Sequence, residues 1–585
     1  MSPRGVRRAR RLASTSGAAL LLALTPFASA QREVLYRLTD EPGPDGGGGA
    51  WRVEVVLRGL EPGAVVGFTS AGWGWPQGKP YLAVVESDPL LAERAEDGTS
   101  LTLAALEPSR SEVRLVYRVD VADRGSERQR RNGLMPSRGD GFAFGSSLNT
   151  LLRPSVDGEL LDGSVTIELV PAEPEATIVT GWSGRARGAQ RLTPDTPWGN
   201  SFVVFGEPAS TTVARAGSLV IEAYQFGNGP DTTERAVDLV RRIAPAVARH
   251  TGWPARSPSR VFLSSAMDGG MGTDYGFHLN VPDDAPADHG FDLFFTTTVA
   301  HELFHEWLGT RLHESSGSLV WFREGFTEYF SQWLSASLGT ISAEDFAETL
   351  ASYDHFARAS TSLGRVAFAD PTVEWRDGDG PNELMAYRGG PVLALALDVE
   401  LRAAGEPGLL QLLRDLLSRD EHVFPPEDLF TWFVDHGLED AWNRSVAGLD
   451  VPAAADSLAR AGFVCARVPV DVPYLGLRTI EEKPIWRVLA VDPQGPAARA
   501  GVRVGDVIDG FFPFHDAPLE LIELDTPYTF GLTLFAPGVE GTFLGIRRGD
   551  EKLKLFVDPE LRPWGLRPSW SAGEATDAFF AFEPR

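Results

Sequence analysis

"TTTVAHELFHEWLGTRL", Thr296 to Leu312, sets two histidines four residues apart, with a glutamate directly after the first. Residues i and i+4 share one face of a helix, one turn apart, so His301 and His305 can point two imidazoles at one cation. Glu302 is rotated by about 100° from His301, because a turn holds 3.6 residues. It is therefore directed at a water beside the cation and not at the cation itself, which is the physical content of the H-E-x-x-H pattern. The competing reading is a buried helix that happens to carry histidines. With 10 His in the chain, composition alone would produce such a string in roughly one chain in a hundred.

A catalytic zinc takes three protein ligands and keeps one position open. The stretch "WFREGFTEYF" (Trp321–Phe330) supplies the third as Glu324, with 18 residues between it and His305, enough for a helix–loop–helix return. The chain has one cysteine, Cys465, read as a small buried hydrophobe, so any metal must be held by histidine and carboxylate. Glu328 lies four residues beyond Glu324 on the same helix face. There it can accept the spare N–H of a ligand histidine, His301 first, and fix its ring; the competing reading is an exposed helix carboxylate.

"VAHELFHEW" together with "WFREGFTEYF" resembles the gluzincin peptidases, the thermolysin-like clan that holds zinc with two His and a Glu. Within that clan, "AYRGGPVLALALDVELR" (Ala386–Arg402) resembles the glycyl aminopeptidase family, where a tyrosine three residues before a glycine donates to the oxyanion. The resemblance implies that Tyr387, before Gly390, has that role. It also implies one catalytic Zn2+ in a mostly helical, thermolysin-like domain with a small sheet. "SAMDGGMGTDYGFHL" (Ser265–Leu279) matches the family's substrate-binding string at Gly269, Gly270 and Met271. It departs at Gly272, where aminopeptidase relatives carry a glutamate that grips the substrate's free amino group; Asp268 and Asp274 are the nearby carboxylates. The strand "YGFHLNV" after it is expected to be an edge strand able to pair with an extended peptide. The short interval from His305 to Glu324 resembles the membrane alanyl aminopeptidases more than typical glycyl aminopeptidases.

The remainder reads as a multidomain α+β chain. At roughly 100–200 residues per domain, 585 residues predict three or four. Residues 31–215 form an N-terminal β-sandwich-like domain. "EVRLVYRVDV" (Glu112–Val121) puts Val113, Leu115, Tyr117 and Val119 on one face by strict alternation. Residues 216–470 form the catalytic domain. It opens with a helix whose Ala236, Leu239, Val240, Ile243 and Val247 recur at helical spacing, with Asp231 or Thr232 as N-cap and Gly252 as stop. A Pro/Val-rich joint, "VPVDVPYLGL", leads into residues 471–560. There "WRVLAVDPQGPAARAGVRVGDVIDGF" (Trp486–Phe511), with "YLGL" upstream, resembles a PDZ domain. That resemblance implies a groove for a peptide C-terminus. Residues 561–585 form an aromatic tail carrying Trp564, Trp570, Phe579, Phe580 and Phe582, expected to pack back on the body.

Residues 1–30 read as a signal peptide: basic "MSPRGVRRARR", apolar "GAALLLAL" and a small-residue "ASA" cleavage pattern. Its removal takes five arginines and shifts the net charge from −26 to −31. That charge repels phosphate backbones and disfavours nucleic acid as a partner, and no later apolar run is long enough for a transmembrane anchor. The expected protein is an exported, periplasmic or extracellular zinc metallopeptidase. It is aminopeptidase-like but lacks the amine-binding glutamate. The alternative is a non-catalytic peptide-binding scaffold with a degenerate peptidase body.

Overall fold

The protein is described by a computed structural model over residues 32–581, apart from 45–47, 70–81, 95–99, 125–134, 162–163, 195–198, 268, 316–318, 360–361, 363, 371–384, 420–421, 483–484, 513–521, 524–541, 550, 559 and 574. The expected signal segment 1–30, Asp268 and Phe582 lie outside the described residues.

The described N-terminal third is β apart from one short helical turn, Ser147–Thr150. Glu33–Glu41, Ala50–Arg58 and Glu112–Asp120 sit side by side in a six-stranded sheet, and a second six-stranded and a five-stranded sheet pack with it. The alternation holds on one face, where Val113, Leu115, Tyr117 and Val119 are buried; on the other, Arg118 is exposed, Arg114 and Asp120 are half-buried, and Val116 is buried. Trp51 of the first sheet meets Phe205 of the second edge-on, ring centroids 5.6 Å apart, and Val53, Leu115, Ile178 and Val203 complete the shared core.

A change of period at about residue 210 starts a mixed sheet with helices. Its strands are β1 (Ser210–Ala216), β2 (Leu219–Gln225), β3 (Ser259–Ser264), β4 (Gly270–Thr273) and β5 (Gly276–Asn280). Their order is β1-β2-β3-β5-β4, with β2, β3 and β5 parallel and both outer strands antiparallel to their neighbours. Helix α1 (Thr233–Thr251) buries Ala236, Leu239, Val240, Ile243 and Val247. The Asp231 carboxylate accepts from the Thr233 N–H at 3.0 Å ahead of N-cap Thr232. Gly252 ends the helix at φ 80, the left-handed conformation that glycine adopts without a Cβ penalty.

Two expectations need correction here. The strand in "YGFHLNV" is not an edge: β5 is paired on both sides, by β3 and by β4. A tight turn at Asp274–Tyr275, closed by the Thr273 hydroxyl on the Gly276 carbonyl (2.8 Å), folds β4 back along β5 and makes β4 the open edge. Cys465 is exposed rather than buried; it lies on a two-stranded ribbon and not in a layered sheet.

That ribbon is what "VPVDVPYLGL" becomes. In place of a joint, Val464–Tyr474 is a long strand, β6, paired antiparallel with β7 (Glu560–Ser571) from Val464↔Ser571 to Tyr474↔Glu560. Prolines at 469, 473, 563 and 568 are tolerated because each strand has one unpaired side. Between the two arms a separate sheet, from Leu477–Glu482 to Glu551–Val557, closes over Leu475, Val488, Ala497, Ile508 and Ile546. After β7 the chain returns to the helical body. Phe346 packs against Phe463, Phe579 and Phe580, and the Trp333 indole donates to the Phe579 carbonyl at 3.2 Å.

The helices that build the site are α2 (His289–Phe304), α3 (Val320–Ser337), α4 (Ala343–Ala359) and α5 (Gly390–Ala403). A π-helical turn, Met385–Gly389, leads into α5. A second aromatic core joins the N-terminal β region to the mixed sheet: Phe142, Phe144 and Phe202 meet Phe262, Tyr224 and Met267, with Met271 of β4 half-buried against them. No helix among the described residues is long and apolar enough to cross a membrane.

Candidate active site

The helix α2 is capped by Asp288, whose carboxylate accepts from the Phe291 N–H at 2.8 Å, and it stops at His305. His301 and His305 project from its last turn. Glu324 comes from the first turns of α3, which packs alongside. The three donor atoms lie within 4.8 Å of one another. The two Nε2 atoms are 3.1 Å apart, and Glu324 Oε2 is 3.6 Å from His301 Nε2 and 3.3 Å from His305 Nε2.

Both rings are fixed from behind. His301 Nδ1 meets Glu328 Oε2 at 2.7 Å, and His305 Nδ1 meets the Leu308 carbonyl at 3.0 Å. Each Nδ1 is thus the donor, and each Nε2 is left as a lone pair. Two lone pairs 3.1 Å apart repel unless positive charge sits between them, so that separation is a ligand–ligand spacing and not a hydrogen bond. Tetrahedral donors about 2.0–2.1 Å from one zinc are about 3.3 Å from each other, and the observed triangle has that size. The residues therefore fit a zinc ion.

The electrostatics point the same way. Although burial pushes the His301 imidazole down, bonds to Glu324 and Glu328 hold its proton affinity well above the usual histidine range. An environment that favours a proton there favours a metal cation. Burial alone would raise Glu324, yet the charges and bonds of His305 and His301 hold it well below the carboxylate range. Glu328 is held at about 2, against its burial, by the His301 bond and charge, Arg388 and the Tyr353 hydroxyl.

Glu302 is buried on the same helix, and burial first, then Glu324 and Glu328, raises its carboxyl above the ordinary value in spite of the two histidines. Strand β4 lies directly on it. A Cβ on Gly270 would come 2.8 Å from Glu302 Cδ, so only glycine lets the strand approach this closely. Gly272 faces the same way but more loosely, at 3.5 Å from Glu302 Oε2 and from His305 Cβ. Gly269 turns the chain into β4 at φ 71, and its carbonyl accepts from Asn280.

These residues line one cleft of about 930 Å³. Its walls bring together all the residues singled out from sequence: Gly269, Gly270, Met271, His301, Glu302, His305, Glu324, Glu328 and Tyr387. Several further members had no local signature. Leu148, Arg153 and Asn200 reach in from the N-terminal β region. Tyr353 on α4 donates its hydroxyl to Glu328, and the Arg388 guanidinium lies over the Tyr353 ring at 4.5 Å. Arg323 Nε donates to Glu324 Oε1 at 2.8 Å. Only Arg323 and Arg388 had a pointer in sequence, as the neighbours of Glu324 and Tyr387.

Residues 294–375, which span the two-histidine helix end, α3 and α4, match the family model for M61 glycyl aminopeptidase. Among solved structures, the aminopeptidase N family protein from Idiomarina loihiensis has the same fold at a TM-score of 0.65 and 16% identity. The match covers 94% of this chain and 100% of that one. The M1 zinc metallopeptidase from Deinococcus radiodurans aligns over 72% of this chain and 94% of its own, with 16% identity and a TM-score of 0.46. No curated protein matches the chain. The family match thus falls on the helices that carry His301, His305 and Glu324, while the fold is shared with the Idiomarina loihiensis structure along almost the whole length.

Proposed function

We propose that the chain is an exported zinc metallopeptidase that hydrolyses peptide bonds, aminopeptidase-like but without a glutamate at position 272. His301, His305 and Glu324 would hold the ion. Zinc in such a site supplies Lewis acidity toward a carbonyl oxygen and acidifies water. Glu302, whose carboxyl burial raises above its ordinary value, takes the proton of the attacking water and passes it to the leaving amine. Tyr387 donates to the developing oxyanion. The backbone of Gly269, Gly270 and Met271, on the open edge strand, holds the peptide in extended form.

The observation that carries this reading is the zinc-sized triangle of two Nε2 atoms and one carboxylate oxygen, with both Nδ1 atoms committed elsewhere. The basic, apolar, small-residue N-terminus supports export to the periplasm or the exterior. The sheet carried by the ribbon supports a PDZ-like module, whose groove would take a peptide C-terminus. Glu302→Gln should bind one zinc per chain, measured by metal analysis, yet turn over peptides about 10²–10⁴-fold more slowly. Unchanged turnover in the zinc-loaded variant would overturn the assignment.

A further inference from the structure

The carboxylates of the cleft, taken one by one, bear on which peptides it accepts. Five line it among the described residues: Asp274, Glu302, Glu314, Glu324 and Glu328. Glu324 belongs to the ion triangle and Glu328 to the His301 ring, the Gln332 amide (3.2 Å) and Tyr353. Glu302 is packed under β4. The two that remain already accept backbone N–H groups: Asp274 from Asn200 at 2.6 Å and Glu314 from Leu319 at 3.2 Å. Against them stand three guanidinium groups, Arg153, Arg323 and Arg388. With a divalent ion bound, the described lining carries as much positive charge as negative. A substrate ammonium entering this space would give up water and meet no net negative field.

The place where a carboxylate could meet such an ammonium is vacant of side chain. Gly272 packs beside Glu302 and His305, and a Cβ there would sit at ordinary contact distance, 3.5 Å, with no strained φ. The backbone there would accept a Cβ; the sequence supplies none. Beside it, β4 leaves its outer edge unpaired, which suits a chain running past the site in both directions.

We infer that this cleft takes peptide bonds whose amine side is acylated, either internal bonds of a longer chain or N-acyl peptides, and does not select for a free α-ammonium. The inference rests on the peptidase reading above and deepens it. The test is one octapeptide library made twice, with free and with N-acetylated amines, incubated with the zinc-loaded full chain and read by mass spectrometry. Acetylation should change the total cleavage rate by less than tenfold, with cuts at internal bonds. A drop of tenfold or more on acetylation, with cuts confined to the first bond, overturns the inference and leaves the peptidase reading intact. Gly272→Glu, loaded with zinc, should swing the ratio at least tenfold toward free amines; an unchanged ratio in the folded variant overturns the assignment of position 272. If neither library is cut and Glu302→Gln behaves as the wild type, the peptidase reading itself falls, and this inference with it.

Discussion

Gly325 and Gly390 are in backbone contact: a Cβ on Gly325 would lie 2.6 Å from Gly390 Cα, and one on Gly390 would lie 2.8 Å from Gly325 Cα. The contact locks α3, which carries Glu324, to the start of α5, which follows the π turn carrying Tyr387. The spacing between the ion triangle and the Tyr387 hydroxyl is thus set by two missing side chains. Gly325→Ala must push these helices apart. We expect a stability loss of about 1–3 kcal/mol from overpacking, read from the denaturation midpoint. If Tyr387 serves the oxyanion, a displacement of about 1 Å should lower kcat on the order of 10²-fold while zinc stays bound. Unchanged kcat in a folded variant would remove the glycine contact from the account.

Glu328 holds the His301 ring by a charged bond of 2.7 Å. Glu328→Gln keeps the shape and an acceptor but removes the charge. Zinc affinity should fall about 10–100-fold, measured by competition with a chromogenic chelator. Activity should return at saturating zinc, which a simple folding defect would not permit.

His278 is buried between Phe144 and Phe202, with Nε2 2.9 Å from the Ser264 hydroxyl, and burial pushes its imidazole down to about 3. Unfolded, it titrates near 6.5. The folded value is the lower one, so the unfolded chain binds the proton first and stability is lost as pH falls below about 6.5, continuing toward 3. Between pH 6.5 and 5 this one residue should account for about 2 kcal/mol of lost stability. His278→Gln should be less stable at pH 7, but its deficit relative to wild type should shrink by about that amount at pH 5. Parallel pH profiles for the two proteins would contradict this assignment.

Phe579 is buried against Phe346, Phe580 and the Trp333 side, although 232 residues lie between Phe346 and it in sequence. Phe579→Ala should cost about 3–5 kcal/mol and lower the unfolding midpoint of the helical body, as seen by tryptophan fluorescence. A loss confined to the sheet between β6 and β7 would show that the tail belongs energetically to that sheet instead.

The centre of the site was legible because its geometry is local. Two histidines on one helical turn, and Glu324 and Glu328 on the next helix, obey spacings fixed by 3.6 residues per turn, and the structure brings all four together. The alternation of Val113, Leu115, Tyr117 and Val119 was legible for the same reason. What was not legible depends on pairing across distance. Nothing within "YGFHLNV" says that a turn at Asp274–Tyr275 will cover its outer side with β4. Nothing in "VPVDVPYLGL" announces a partner strand about ninety residues later, and its prolines argue for a linker until an unpaired strand side is available to hold them. Tyr353 and Arg153 reached the cleft by tertiary packing, with no motif to mark them.

The ribbon formed by β6 and β7 makes the sheet between them a loop-out from a body that closes only when its final residues dock. On the ribosome, the helical body would therefore stand with an open apolar seam at Trp333 and Phe346 until Phe579 and Phe580 have emerged, so closure of this core waits on residues made more than a hundred positions after its own helices.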